Sequence, residues 1–314
     1  MEYSMAREQF GVCAEPSLHS YYLLFNVLDN KNDYVRYTLA KLPEIFNEYS
    51  NRFSEANLST VIAIGATYWD EFYPDAKPKG LRPFPAMQVE DRFAPSNNID
   101  LYIEVRSDRA DVNHIVSTRV CEMLNSSVEL IEQVKGFRYL DGRDLTGFIE
   151  GSDNPRGPHK REVALVKSDQ QPLFANGSYL HIQRYRHNMK LWQSLELKQQ
   201  EDIYGKSKLD DIEYPEADKP DTSHSKRTRI KDAQGNPVAL VRQSMPYGHM
   251  KVQGLFSVAY CQTPDNYEVI LTSMIQGDGH GNYDHLLKYT QAETGAAFFA
   301  PSIDFIENLA PASD

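Results

Sequence analysis

The order of elements predicts an α+β protein of two consecutive units with antiparallel sheets, and three observations carry the prediction. Short runs rich in β-branched and aromatic residues recur along the chain in the manner of buried strands. Between them lie stretches whose apolar residues fall at spacings of three and four, as on one face of a helix. The succession strand, helix, strand, strand, helix, strand is then met twice, which is the split βαβ or ferredoxin-like order. Sheets of this kind are covered on one face by their helices.

The first unit begins with HSYYLLFNVLD (19 to 29), a buried-strand run. From 32 to 53 the residues Val35, Leu39, Leu42, Phe46, Tyr49 and Phe53 form one helical face. STVIAIGATYW (59 to 69) reads as a strand, and a Pro- and Lys-containing loop from Tyr73 to Asn98 leads to the strand DLYIEVRSD (100 to 108). A helix over about 109 to 124 carries Val112, Ile115, Val116, Val120, Met123 and Leu124 on one stripe, and VELIEQVKGFRYL (128 to 140) closes the unit. The second unit has strands at REVALVK (161 to 167) and SYLHIQRYRH (178 to 187), and a helix near 195 to 205 with Ser194 as N-cap. Strands at PVALVRQS (237 to 244) and GLFSVAYC (254 to 261), a helix near 265 to 276 and the strand AAFFA (296 to 300) follow. The division falls at 1–146 and 147–314. The polar segment 206 to 236 is too long for an idle connection, and it contains His224.

With 314 residues, 41% hydrophobic and 25% charged, the chain has the make-up of a globular protein able to bury a real core. A net charge of −11 disfavours unaided binding to nucleic acid or an anionic membrane, since both require a basic face. Cys13, Cys121 and Cys261 are odd in number and far apart, which fits a reducing compartment better than a disulfide framework or a thiolate zinc site. The start MEYSMAREQFG has no apolar leader, and no later segment approaches the roughly 18 apolar residues of a membrane span. A cytoplasmic location is expected.

One stretch stands apart. GFIEGSDNPRG (147 to 157) places Glu150 and Asp153 among three glycines, at the junction of the two units. It lacks the Lys of a phosphate loop, and its acids do not follow the calcium-loop pattern. A plain turn, which the composition favours, a metal ligand set and a carboxylate held for proton transfer all remain open. Local context reads His224, in DTSHSKR, as a surface histidine. Arg242, inside an apolar strand, needs an ion partner or a ligand. The nine histidines form neither HExxH nor a paired Cys/His set, and no GxSxG marks a serine nucleophile.

Taken in order, RDLTGFIEGSDNP, TSH and VRQSMPYG resemble the dye-decolourising peroxidases, and the similarity to their bacterial B-type branch runs on to TGAAFFAPSIDF. That resemblance implies a haem enzyme of two ferredoxin-like units in a dimeric α+β barrel-like architecture. It implies haem b, iron protoporphyrin IX, as cofactor, with hydrogen peroxide and small organic reductants as partners, and a homodimer or higher homo-oligomer. His224 stands at the position of the proximal iron ligand, and Arg242 at that of the distal arginine. Ser244, two residues on, stands where Asn is common in the branch. Glu150 fills the acidic place of the GxxDG signature, where Asp is usual, with an unperturbed pKa of about 4.3 instead of about 3.9. Gly147 and Gly151 would let the loop lie against the porphyrin, Asp284 would accept the second ring proton of His224, and Asp153 is a substitute acid. A carboxylate base implies a dye-oxidation profile that favours acid. Some members are packaged in protein shells by a C-terminal extension; the ending FIENLAPASD carries no such tail, and encapsulation is not expected. Two other readings stay open: a haem-handling protein with incidental peroxidase activity, and a haem-free interaction module.

Overall fold

The computed structural model describes residues 6–311; the start of the chain at 1–5 and its end at 312–314 lie outside them. In chain order come β1 (His19–Val27), α1 (Asn32–Arg52), β2 (Ser59–Gly65), α2 (Trp69–Phe72), β3 (Met87–Val89), β4 (Arg92–Ala94), β5 (Leu101–Ser107), α3 (Ala110–Leu124) and β6 (Val128–Phe137). The second half adds α4 (His159–Ala164), β7 (Ser178–His187), α5 (Met189–Gln193), α6 (Leu197–Tyr204), α7 (His224–Thr228), β8 (Val241–Arg242), β9 (Met245–His249), β10 (Val252–Cys261), α8 (Pro264–Ile275), β11 (Thr290–Ala300) and α9 (Ile303–Asn308).

Eight strands follow one another as β7-β11-β2-β5-β1-β6-β9-β10, and pairing of β10 with β7 closes the ring. The first half supplies β2-β5-β1-β6 and the second β9-β10-β7-β11, so each contributes four strands in the same order, the ferredoxin-like arrangement. The two sheets meet at Gly136 opposite Tyr247, and at Ile64 and Gly65 opposite Phe299 and Phe298. Strand alternation divides the core in two. Tyr22 and Leu24 of β1 point into the barrel with Phe256, Val258 and Tyr260 of β10, whereas Leu23 and Phe25 face outward against α1 and α3. No helix among the described residues is long and apolar enough to cross a membrane.

The barrel interior is not wholly apolar. Glu104, fully buried, accepts hydrogen bonds from the phenols of Tyr102 at 2.5 Å and Tyr260 at 2.8 Å and pairs with Arg106, whose Nη2 donates to Gly11 O at 2.7 Å. A charge taken out of water is tolerated only while its partner stays. Arg106→Leu should therefore lower unfolding free energy by about 3–5 kcal/mol, read from the denaturant midpoint. A loss below about 1 kcal/mol would show that the tyrosines alone hold the carboxylate.

The structure departs from the sequence expectations in several places, each for a tertiary reason. REVALVK is not a strand: residues 159–164 are helical, burying Lys160, Val163 and Ala164 at helical spacing, with Glu162 paired to His159. Ser194 does not cap α6; its Oγ donates to Leu191 O at the end of α5, while Glu196 and Gln199 form a capping box. The strand expected at 237 to 244 is a strand only at Val241–Arg242, with an isolated bridge from Pro237 to Lys231, and β9 begins at Met245. The strand expected at 59 to 69 ends at Gly65, and Trp69 opens α2. Ile115 of the α3 stripe is exposed, and the loop from Tyr73 to Asn98 contains the hairpin β3-β4.

Candidate active site

A cleft with an empty volume of about 1100 Å³ opens on the outer face of the second sheet, beneath α7 and α8. Its floor is Gln183, Tyr185 and His187 of β7 with Leu255, Ser257 and Ala259 of β10, every second residue of each strand. Ile270, Leu271 and Met274 of α8, with Leu240, Leu286 and Leu287, make much of the wall apolar. Glu150, Gly151, Asp153, His224 and Arg242 line it as well.

The loop that carries the acids is built from its glycines outward. Gly147 and Gly151 have φ of 93° and 67°, in the left-handed region that side chains avoid. A Cβ at Gly147 would meet Lys208 at 2.4 Å, so this glycine serves the turn and its packing and does not line the cleft, whereas Gly151 does. Two cations pin the loop to the segment after α6. Arg143 donates to Gly147 O at 2.9 Å and Leu209 O at 3.0 Å, and Lys206 Nζ donates to Ile149 O at 3.1 Å while pairing with Asp211 at 2.6 Å.

Asn154 then ties the loop to β8: its Oδ1 accepts from Arg242 N at 2.8 Å and its Nδ2 donates to Arg242 O at 2.6 Å. The side chain amide thus occupies the hydrogen-bonding edge of β8 that a further strand would use. Asp153 holds the other end of Arg242, with Nη1 3.1 Å from both carboxylate oxygens. Burial works to raise the pKa of Asp153, but Arg242 and Arg229 outweigh it and leave it below the ordinary value. Glu150 is displaced the other way. Burial pushes its pKa up, and the opposing pull of Arg242 and His224 does not cancel that, with Asp144 and Asp153 adding repulsion. It is half-buried by surface area because cavities touch it on two sides, yet desolvation dominates. Two neighbouring carboxyls pushed apart in pKa are suited to different tasks.

His224 opens α7. Its Nδ1 lies 2.6 Å from Asp284 Oδ2, so Nε2 is the ring nitrogen left to bind a metal. Asp284 is fully buried, and its Oδ1 accepts from Leu286 N at 3.0 Å, so the carboxylate is held rigidly. Among the described residues no group of three or more His, Cys, Asp and Glu is gathered to hold a metal ion. One imidazole backed by a carboxylate, in a deep and largely apolar cleft, fits a planar iron macrocycle and not a zinc site.

A second cavity adjoins the first and shares Ile149, Glu150, Gly151 and Arg242 with it. Ser244 lies on that side, lining the second cavity and not the cleft, and its Oγ accepts from Val258 N at 3.3 Å. The structure therefore brings Glu150, Gly151, Asp153, Arg242 and His224 to one cleft, with Asp284 behind His224 and Ser244 across the partition. Sequence reasoning missed Asn154, Lys206 and Arg229. The first reads as one more turn residue, and the other two are ordinary charges in polar segments.

Comparison with known proteins bears on this site. The family described as Dyp-type peroxidase, N-terminal, matches residues 9–138, and Dyp-type peroxidase, C-terminal, matches 141–305. A dye-decolorizing peroxidase of Rhodococcus erythropolis is 33% identical over 289 residues, 91% of this chain and 84% of that one. The crystal structure of a putative dyp-type peroxidase from Shewanella oneidensis superposes with a TM-score of 0.95 at 49% identity, covering 97% of this chain and 99% of the other. A DypB variant from Rhodococcus jostii in complex with haem superposes at 0.90 with 31% identity, covering 94% and 97%. With both halves matched and the fold shared with these solved structures, the chain belongs to the Dyp-type peroxidase family, whose members are oxidoreductases acting on peroxide.

Proposed function

We propose that this chain binds haem b through His224 and reduces hydrogen peroxide while oxidising dyes, phenols or other small reductants, with Glu150 taking the part usually given to aspartate. The observation that carries the reading is the pairing of His224 with the fully buried Asp284 in the same cleft as Glu150 and Arg242. The apolar residues of α8 and Leu286 and Leu287 give a porphyrin its bed, and Gly151 allows close approach. Bound haem supplies iron that stores the oxidising equivalents of peroxide.

The protein's own part is proton handling. Glu150 takes the proton from one peroxide oxygen and delivers it to the other, which leaves as water, so the carboxylate ends as it began. Arg242 stabilises the negative charge that grows as the O–O bond breaks, and Asp153 aims it. The second cavity, touching Glu150 and Arg242 from the side of Ser244, gives peroxide and water an approach. Residues 1–146 and 147–314 are taken as the two units, and the cytoplasm, where the three free thiols persist, as the compartment.

Reconstitution with haem, followed by one equivalent of peroxide, should produce a rapid visible-spectrum change with release of water, reversed by a phenol. The Glu150 departure motivates the competing haem-handling reading, under which haem would bind weakly and reversibly and the spectrum would hardly respond to peroxide. That result would displace the peroxidase reading.

A further inference from the structure

A hairpin from the first half of the chain lies on the second. β3 and β4 pair over 87–94, and just beyond them Asn97 exchanges two hydrogen bonds with Gly295 of β11: Asn97 N donates to Gly295 O at 2.7 Å, and Gly295 N to Asn97 Oδ1 at 3.0 Å. This docking carries Arg92, buried although charged, to the C-terminal end of α8. Its Nε donates to Ile275 O at 3.0 Å, its Nη1 pairs with Glu90 at 3.1 Å, and its guanidinium carbon lies 3.7 Å from the ring centroid of Tyr283.

Tyr283 is the residue before Asp284, the carboxylate on His224. After α8 the chain turns through 276–282 and comes back, so that Asp284 N donates to Met274 O at 2.9 Å. The segment of His224 itself holds the far side: His285 N donates to Thr222 O at 2.9 Å, and Arg227 of α7 donates to Asn282 O at 3.1 Å. Asp284 thus sits where two clamps meet, and Arg92 is the clamp that comes from the other half of the chain. The pair with Glu90 does not explain a buried arginine, because Glu90 is exposed and such pairs contribute little. The stack on Tyr283 and the end of α8 do explain it, since an aromatic face and a helix C-terminus both favour a fixed positive charge.

We propose that Arg92 is a positioning residue for His224: by holding the end of α8 and the ring of Tyr283, it keeps Asp284 aligned on Nδ1. A hairpin of the first half thereby sets how strongly an imidazole of the second half donates to iron. This rests on the peroxidase reading, which makes His224 the haem ligand. A carboxylate 2.6 Å from the ring nitrogen raises the basicity of the imidazole, and the bond weakens steeply once it tilts. Removing the Arg92 guanidinium loosens Tyr283, and with it the backbone that aims Asp284, without touching either member of the pair.

The test starts from haem-free protein containing isotope-labelled histidine, in which the loss of a signal in His224→Ala assigns the Nδ1–H magnetic resonance of His224. In Arg92→Met that proton should move upfield and exchange with water several-fold faster. Arg92→Lys, which keeps a cation over the ring, should restore most of the wild-type position and protection. After haem loading, the iron–imidazole stretching band of Arg92→Met should fall in frequency and its reduction potential should rise, as in Asp284→Asn. Adding Arg92→Met to Asp284→Asn should enlarge neither shift, because the carboxylate through which Arg92 acts is already gone. Tyr283→Leu, which leaves Arg92 on Ile275, should move the resonance in the same direction and replaces Arg92→Met if that variant does not fold. A His224 resonance unmoved in both variants, whatever their melting temperatures, reduces Arg92 to a structural contact and overturns this proposal alone. A wild-type protein that binds haem without an iron–imidazole band overturns the peroxidase reading and this proposal with it.

Discussion

Glu150→Gln should slow the reaction with peroxide by about 10²- to 10⁴-fold, the range for loss of a positioned general base. The amide keeps the shape of the side chain and removes its ability to take a proton. Because only the ionised carboxyl accepts that proton, the wild-type rate should fall as pH drops through the pKa of Glu150, which burial sets above the ordinary glutamate value. The Gln variant should lack this limb. Asp153 cannot take over unchanged, since Arg242 engages both of its oxygens and its pKa is held low. Stopped-flow mixing of haem-loaded protein with peroxide across the acid range measures both effects. An unchanged rate in the variant would remove Glu150 from the proton path. Folding stability carries the same sign: a carboxyl whose folded pKa is raised stabilises the fold less as pH rises through that value. Glu150→Gln should therefore melt higher than wild type near neutral pH and no higher in acid.

His224→Ala should abolish stable haem retention. No other histidine among those lining the cleft has a buried carboxylate and a free ring nitrogen together: both nitrogens of His187 are engaged, by Asp144 and by Thr290. Gel filtration after haem loading should recover the variant without its visible band, and circular dichroism should report an intact fold. A variant that keeps the wild-type haem spectrum would disqualify His224 as ligand. Asp284→Asn tests the support behind it. Loss of a partner of this kind costs about 10- to 100-fold in metal affinity or activity. The amide oxygen would still hold the ring, so retention should weaken without vanishing, and the haem reduction potential should rise as the imidazole becomes a poorer donor.

The legibility of these parts differed with the range of the forces that make them. Helices α1, α3 and α8 and strands β1, β5, β7 and β10 follow patterns written within ten or twenty residues, and their expected and observed bounds nearly coincide. REVALVK misled because Val163 and Leu165 alternate as in a strand, while the contacts that favour a helix, such as α4 against β10, come from elsewhere in the chain. His224 read locally as a surface residue for the same reason. Its partner Asp284 is 60 positions away, and the Asn154 that shapes Arg242 is 88 away.

By itself the sequence determined the class of fold, two α+β units of ferredoxin-like order, and through its motifs the family and the residue types of the site. Those depend on local periodicity, turn chemistry and side-chain identity, which a string of residues carries in full. Only the tertiary structure decided that the two sheets close into one barrel, and that Asp153 engages Arg242 while burial pushes the pKa of Glu150 up. It alone placed Ser244 across a partition from the cleft. These are matters of distance and desolvation between segments far apart in the chain, and pKa values and contacts follow from such distances, not from order along the backbone.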